Sequence, residues 1–125
     1  MLLIIPGTMP GLNEMIDEAR IHRMRSAEQK KLYTELVMWY AKKAKIPKME
    51  RVSLNITWYE PNRRRDPDNV AGGGTKFILD GMVLAGVLDN DGWKQVKGIK
   101  HDFEVDRGRP RVEIEITEER KGNDG

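Results

Sequence analysis

Cysteine is absent from the 125 residues. That excludes a disulfide framework and any thiolate-held metal, and it fits a reducing cytoplasm. Long apolar runs are absent as well. The N-terminal run, Leu2 to Ile5, stops at Pro6, too short for a signal-sequence core or a membrane span. The expectation is a soluble, cytoplasmic protein with no membrane association. Internal repeats and long linkers are missing too, and the length suits one domain with a modest core. That domain is expected to cover 1–125, with 118–125 as a polar, disordered tail. Histidine occurs only at His22 and His101, and their surrounding patterns differ too much to suggest a metal pair. His22 reads as exposed or partner-facing, His101 as a strand residue.

A large net charge is also lacking. Charged residues are 34% of the chain, yet they sum to only +2, and that total hides a segregation. Between Arg20 and Arg51 the bases far outnumber Glu28, Glu35 and Glu50, whereas acids prevail from Asp102 to Glu119. A polyanion would feel the basic part locally, although a solvated helix face explains it equally well.

What is present reads as strand, helix, strand, helix, strand, strand. Leu2–Ile5 is a short buried strand, followed by turn chemistry from Pro6 to Gly11. Asn13 suits the cap of a turn, and 14–25 is ambiguous. The spacing of Leu32, Leu36, Trp39 and Tyr40 predicts a helix from Ser26, as N-cap, to about Lys45. Val52, Leu54, Ile56 and Trp58 alternate with polar residues, as a half-buried strand does. Residues 63–74 read as a loop, or a loop passing into an irregular helix start, because Gly72-Gly73-Gly74 is poor helix interior. Thr75 then caps a helix to about Ala85, with Gly86 as its stop. Ile99 to Val105 and Val112 to Ile116 alternate as two further strands, and the simplest topology pairs them as a hairpin. The fold class is α+β, a small mixed sheet packed with helices.

The chemistry concentrates in Arg63-Arg64-Arg65-Asp66-Pro67-Asp68-Asn69. Two carboxylates one residue apart can converge on a cation where the backbone is irregular, and Pro67 pushes Asp66 out of the helical region. Three arginines before them make sense if they hold the phosphates flanking such a cation. Asp89-Asn90-Asp91-Gly92 follows the helix stop. If the two clusters meet, Asp66, Asp68 and Asp91 offer three hard oxygen ligands, which favours magnesium or manganese over zinc or copper. Each signal also has a plain alternative: a polar turn for either cluster, and an i,i+4 pair with Asp80 for Lys76. A calcium loop fails because Lys100 stands at the twelfth position from Asp89. The order of residues around Gly72 to Lys76 is not that of a phosphate-binding loop. Asn69 reads equally as a cap or a site residue, and Asp80 as structural, behind the ligands. Trp39, Trp58 and Trp93 read as core or interface rather than base-stacking platforms.

Four elements in order, Arg64-Arg65-Asp66-Pro67-Asp68-Asn69, Lys76-Phe77-Ile78-Leu79-Asp80-Gly81, Ala85-Gly86-Val87 and Asp89-Asn90-Asp91, together resemble the RusA family of Holliday junction resolvases. The likeness runs from Arg63 to about Val96. It implies a small homodimeric, magnesium-dependent endonuclease of phages and prophages, with manganese as a substitute cation, acting on four-way junctions or other branched DNA in a bacterial host cytoplasm. It implies an aspartate triad carried by Asp66, Asp68 and Asp91, and a family lysine carried by Lys76. Arg63, Arg64, Arg65 and Lys76 are the expected DNA contacts. Ala71–Gly74 looks like an insertion relative to shorter members. Asn90 stands where many members have an acid, and Asp91 is preferred to Asp89. Two other classes compete: a non-catalytic branched-DNA-binding module, and a hydrolase of nucleotides or small phosphoesters, against which the local basic surplus argues.

Overall fold

A computed structural model describes residues 1–119. Its elements are β1 (Leu2–Pro6), α1 (Leu12–Ile21), α2 (Arg23–Lys43), β2 (Val52–Glu60), α3 (Pro67–Leu84), β3 (Val96–Val105) and β4 (Arg111–Glu118). The four strands form one mixed sheet in the order β1-β4-β2-β3. The result is the α+β arrangement expected.

Alternation in the sequence decides which face of the sheet is covered. Leu3 and Ile5 of β1, Val52, Leu54, Ile56 and Trp58 of β2, and Val112, Ile114 and Ile116 of β4 are all buried. They meet Val37 and Ala41 of α2 and Val70, Phe77, Ile78 and Met82 of α3 in one core. Burying a side chain of this size stabilises the fold by about 1.5–3 kcal/mol. The opposite face carries Asn55, Thr57, Tyr59, Glu113 and Glu115, and Arg111 lies 3.7 Å over the Tyr59 ring there.

The expected hairpin between the last two strands does not form. β2 lies between them, pairing parallel with β3 and antiparallel with β4. The α3 crossover returns the chain beside β2 in the same direction, as such connections do. β4, with a wholly apolar inner face, takes an interior position between β1 and β2. β3, most of whose residues are exposed, is left at the edge.

Two helix starts also differ from expectation. α2 begins at Arg23, so Ser26 lies within its first turn and donates its N–H to His22 O at 3.0 Å. Residues 12–21, which overlap the ambiguous stretch 14–25, are helical as α1. Asn13 sits inside that helix, and its N–H donates to Asn69 Oδ1 at 2.8 Å. Gly11 precedes α1 and has no side chain to cap it; Asn69 acts in its place from across the fold. A Cβ on Gly11 would stand 2.8 Å from that same amide oxygen.

The larger correction concerns Gly72-Gly73-Gly74, which lies inside α3. Asp66 is the N-cap, with φ −68° and ψ 150°, and Pro67 opens the helix, where its missing N–H costs nothing. Thr75 is interior and donates its Oγ1 to Ala71 O at 2.6 Å. Glycine weakens a helix by about 1 kcal/mol each relative to alanine, but here the neighbours demand it. A Cβ on Gly73 would collide with the backbone of Pro10 and Gly11, and one on Gly74 would lie 2.5 Å from the Trp58 ring. The helix end is as expected: Gly86, at φ +82°, follows the Ala85 cap.

The expected tail falls partly on described residues. Glu118 closes β4, and Glu119 accepts from Ser53 Oγ at 2.7 Å. Residues 120–125 lie outside the described residues. No helix among the described residues is long and apolar enough to cross a membrane.

Candidate active site

Helix α3 carries most of the site. Asp66 caps it and Asp68 sits in its first turn, where the positive end of the helix dipole favours negative charge. Neither carboxylate is engaged by a hydrogen bond or ion pair among the described residues, and Asp66 makes no capping bond. Lys76 stands two turns further on, roughly 12 Å along the axis.

Lys76 joins α3 to the loop that follows it. Its Nζ lies 2.7 Å from Asp91 Oδ2 and 3.1 Å from Asp80 Oδ1. The hydrogen bond from Lys76 holds the Asp91 carboxyl below its ordinary value, against the opposing effect of burial. The same contact, then that with Asp80, holds the Lys76 ammonium above its own. Asp91 is therefore ionised at neutral pH. Asp80 and Asp91 share one cation. Asp89 turns elsewhere and pairs with Lys48 at 2.9 Å.

The two clusters are thus on one helix and its following loop, but they do not close on one point. Among the described residues no three carboxylate or imidazole groups are placed to hold a metal ion. The donor chemistry suits a hard divalent cation. Asp91 is paired with Lys76, two turns along α3 from Asp68.

The three arginines divide. Arg65 is only 21% exposed and is occupied by protein acceptors. It donates from Nε to Glu60 Oε1 at 2.9 Å, and from NH1 to Met9 O at 2.8 Å and Glu14 Oε1 at 3.0 Å. It fastens the Asp66 loop to β2 and to the start of α1. Arg63 and Arg64 make no such side-chain bonds among the described residues, and Arg63 borders a pocket of about 260 Å³ with Asp66, Pro67, Phe103 and Val105.

One residue of this surface is not signalled by any motif. His101 of β3 shares an open groove beside α3 with Ala71, Gly72, Thr75, Lys76 and Leu79. Trp58 Nε1 donates to its Nδ1 at 2.9 Å. Burial pushes the imidazole below its ordinary value, a shift partly opposed by Asp102. Of the tryptophans, expected in core or interface, Trp58 is core at 2% exposure, Trp39 is half exposed, and Trp93, two residues beyond Asp91, is 97% exposed and not core.

The geometry can be set beside known proteins. No curated protein sequence matches the chain. The family model described as endodeoxyribonuclease RusA matches residues 6–117, which takes in all three helices, β2 and β3, β4 as far as Thr117, and only Pro6 of β1. The aspartates, Lys76 and the supporting arginines all fall inside that span. The chain belongs to the RusA family of Holliday-junction-resolving endodeoxyribonucleases.

Proposed function

We propose that this protein resolves four-way and related branched DNA by hydrolysing phosphodiester bonds with Asp66, Asp68 and Asp91 as its acidic residues. The observation that carries the reading is the family match over 6–117. It is supported by two carboxylates at the start of α3 that are unpaired among the described residues, and by an ionised Asp91 on the loop beyond it.

The residues divide the work. Lys76 orients Asp91 and offers a point charge to an incoming phosphate. Arg63 and Arg64 bind backbone phosphates, and so does the basic surface of α2, which makes affinity steeply salt-dependent. Arg65 holds the Asp66 loop in place. The hard carboxylate oxygens are suited to magnesium, with manganese as a substitute. Bound there, such a cation would supply Lewis-acid stabilisation of charge on the scissile phosphate. A homodimer would present two sites to two strands, and preference for a junction would follow from shape rather than a base code.

The test is cleavage of a labelled four-way junction beside a linear duplex of the same sequence, with magnesium, with EDTA, and with Asp68→Asn. Paired, symmetric nicks confined to the junction and lost in both controls are the expected result. Tight junction binding without cleavage in magnesium or manganese would replace the nuclease reading with a non-catalytic binding module.

A further inference from the structure

His101 is placed by a chain of contacts that starts in the glycine run. Gly74 has no side chain, so the Trp58 ring edge packs directly against α3. So placed, Trp58 donates from Nε1 to His101 Nδ1 at 2.9 Å, the two ring planes inclined at 21°. An indole N–H can only donate. The nitrogen facing it must therefore be the unprotonated one. The proton of the neutral imidazole is then on Nε2, at the opposite side of the ring.

Nothing among the described residues accepts from that Nε2, and it is not a buried orphan. His101 lines one side of the groove whose other wall is Ala71, Gly72, Thr75, Lys76 and Leu79 of α3. The Thr75 hydroxyl is already spent on Ala71 O. That wall is small-featured, and its cation is Lys76. The groove thus offers one fixed neutral donor and one ammonium, itself paired with Asp80 and Asp91, with low walls at Ala71 and Gly72 on which a sugar–phosphate backbone can lie closely. Becoming an imidazolium would put a proton on Nδ1 and break the Trp58 bond, so the surroundings hold the ring neutral.

We propose that His101 Nε2–H donates to a backbone phosphate of the bound DNA, so that strand passes along the groove between α3 and β3 beside Lys76. The inference rests on the reading of the protein as a branched-DNA nuclease. It adds a DNA contact from the sheet edge, orientated by Trp58 and carrying no charge.

Two side-chain amides separate this role from a merely structural one. Glutamine places its amide nitrogen near the Nε2 position but leaves Trp58 without its acceptor. Asparagine keeps an acceptor near the Nδ1 position but has no donor at Nε2. Junction affinity is measured at several salt concentrations in EDTA for the wild type, His101→Ala, His101→Asn and His101→Gln, with thermal melting of each. The expected pattern is a loss of about tenfold for the alanine and asparagine variants and near wild-type affinity for glutamine. The dependence of log K on log salt should keep its wild-type slope throughout, because a neutral donor displaces no counterion. Rescue by asparagine and not by glutamine would overturn the proposal and leave His101 as the structural partner of Trp58. So would a slope lowered by about one in the alanine variant, which marks a cationic contact, or wild-type affinity in all three variants. A wild-type protein that fails to bind the junction overturns the nuclease reading together with this inference, whereas the three preceding results leave that reading intact.

Discussion

Lys76 Nζ lies 2.7 Å from Asp91 Oδ2, tying the middle of α3 to the loop that leaves it. Each partner perturbs the other in the direction an ion pair requires, Asp91 downward and Lys76 upward. Lys76→Met is expected to free the Asp91 carboxyl to titrate nearer its ordinary value, which carbon-detected NMR of the side chain would record. The stability lost in this variant has a defined pH window. Asp91 has a lowered folded value, so its share is complete above about 3.8, its unperturbed value, and fades as pH falls through the lowered one. The Lys76 share, from a raised folded value, is complete below 10.5 and fades as pH rises beyond it. Denaturation of the wild type and variant should therefore differ most near neutrality and converge at both extremes.

The glycine run makes three neighbouring positions behave differently. Gly74→Ala forces a Cβ to 2.5 Å from the Trp58 ring and should cost about 1–3 kcal/mol, as overpacking does. Gly73→Ala meets backbone of Pro10 and Gly11, which cannot rotate aside, and should cost at least as much. Gly72→Ala meets only the Leu12 side-chain tip at 3.3 Å. If Leu12 shifts by a few tenths of an ångström, the gain in helix propensity, about 1 kcal/mol, is left nearly whole. Equilibrium urea denaturation should rank Gly72→Ala at or above wild type and the other two clearly below.

Arg65 is expected to differ from Arg63 and Arg64 in kind. Arg65→Ala leaves Glu60, whose side chain is only 12% exposed, without its partner and should cost about 2 kcal/mol of stability. Arg63→Ala and Arg64→Ala should leave melting unchanged. Each that contacts a phosphate should reduce the slope of log affinity against log salt by about one. An Arg65 variant that melts like wild type while losing salt dependence would reverse this division.

Acid should weaken the β2–β3 edge through His101. Burial lowers the folded value of this imidazole, so the unfolded chain takes up its proton first. The stabilising contribution is complete above about 6.5, the ordinary value, and is lost as pH falls through the lowered one. Melting followed from pH 8 to pH 5 should show a decline in the wild type that His101→Gln flattens.

The strands were readable because their alternation is strict: Val52, Leu54, Ile56 and Trp58 point one way, and β4 repeats the pattern. Their pairing was not. A hairpin is the cheapest local solution, and nothing local in 99–116 reveals that β2 will lie between the two strands. Gly72-Gly73-Gly74 misled for a related reason. Intrinsic propensity argues against a helix there, but the close approach of Trp58 and the 10–12 backbone overrides it, and both are remote in sequence. The acidic residues proposed for the site stand out in the sequence as a pattern. The capture of Arg65 by Glu60, Glu14 and Met9, and the orientation of His101 by Trp58, depend on long-range contacts that no motif encodes.

The register of β1 bears on how the molecule comes into being. Among the described residues its only neighbour in the sheet is β4, with Leu2 opposite Glu115. A nascent chain that has emerged only as far as Val105 holds every acidic residue proposed for cleavage, yet its first strand has nothing to pair with and β2 lacks an inner neighbour. Completion of the sheet awaits β4. A chain interrupted before Arg111 would hold those acidic residues without the strand that joins β1 to β2.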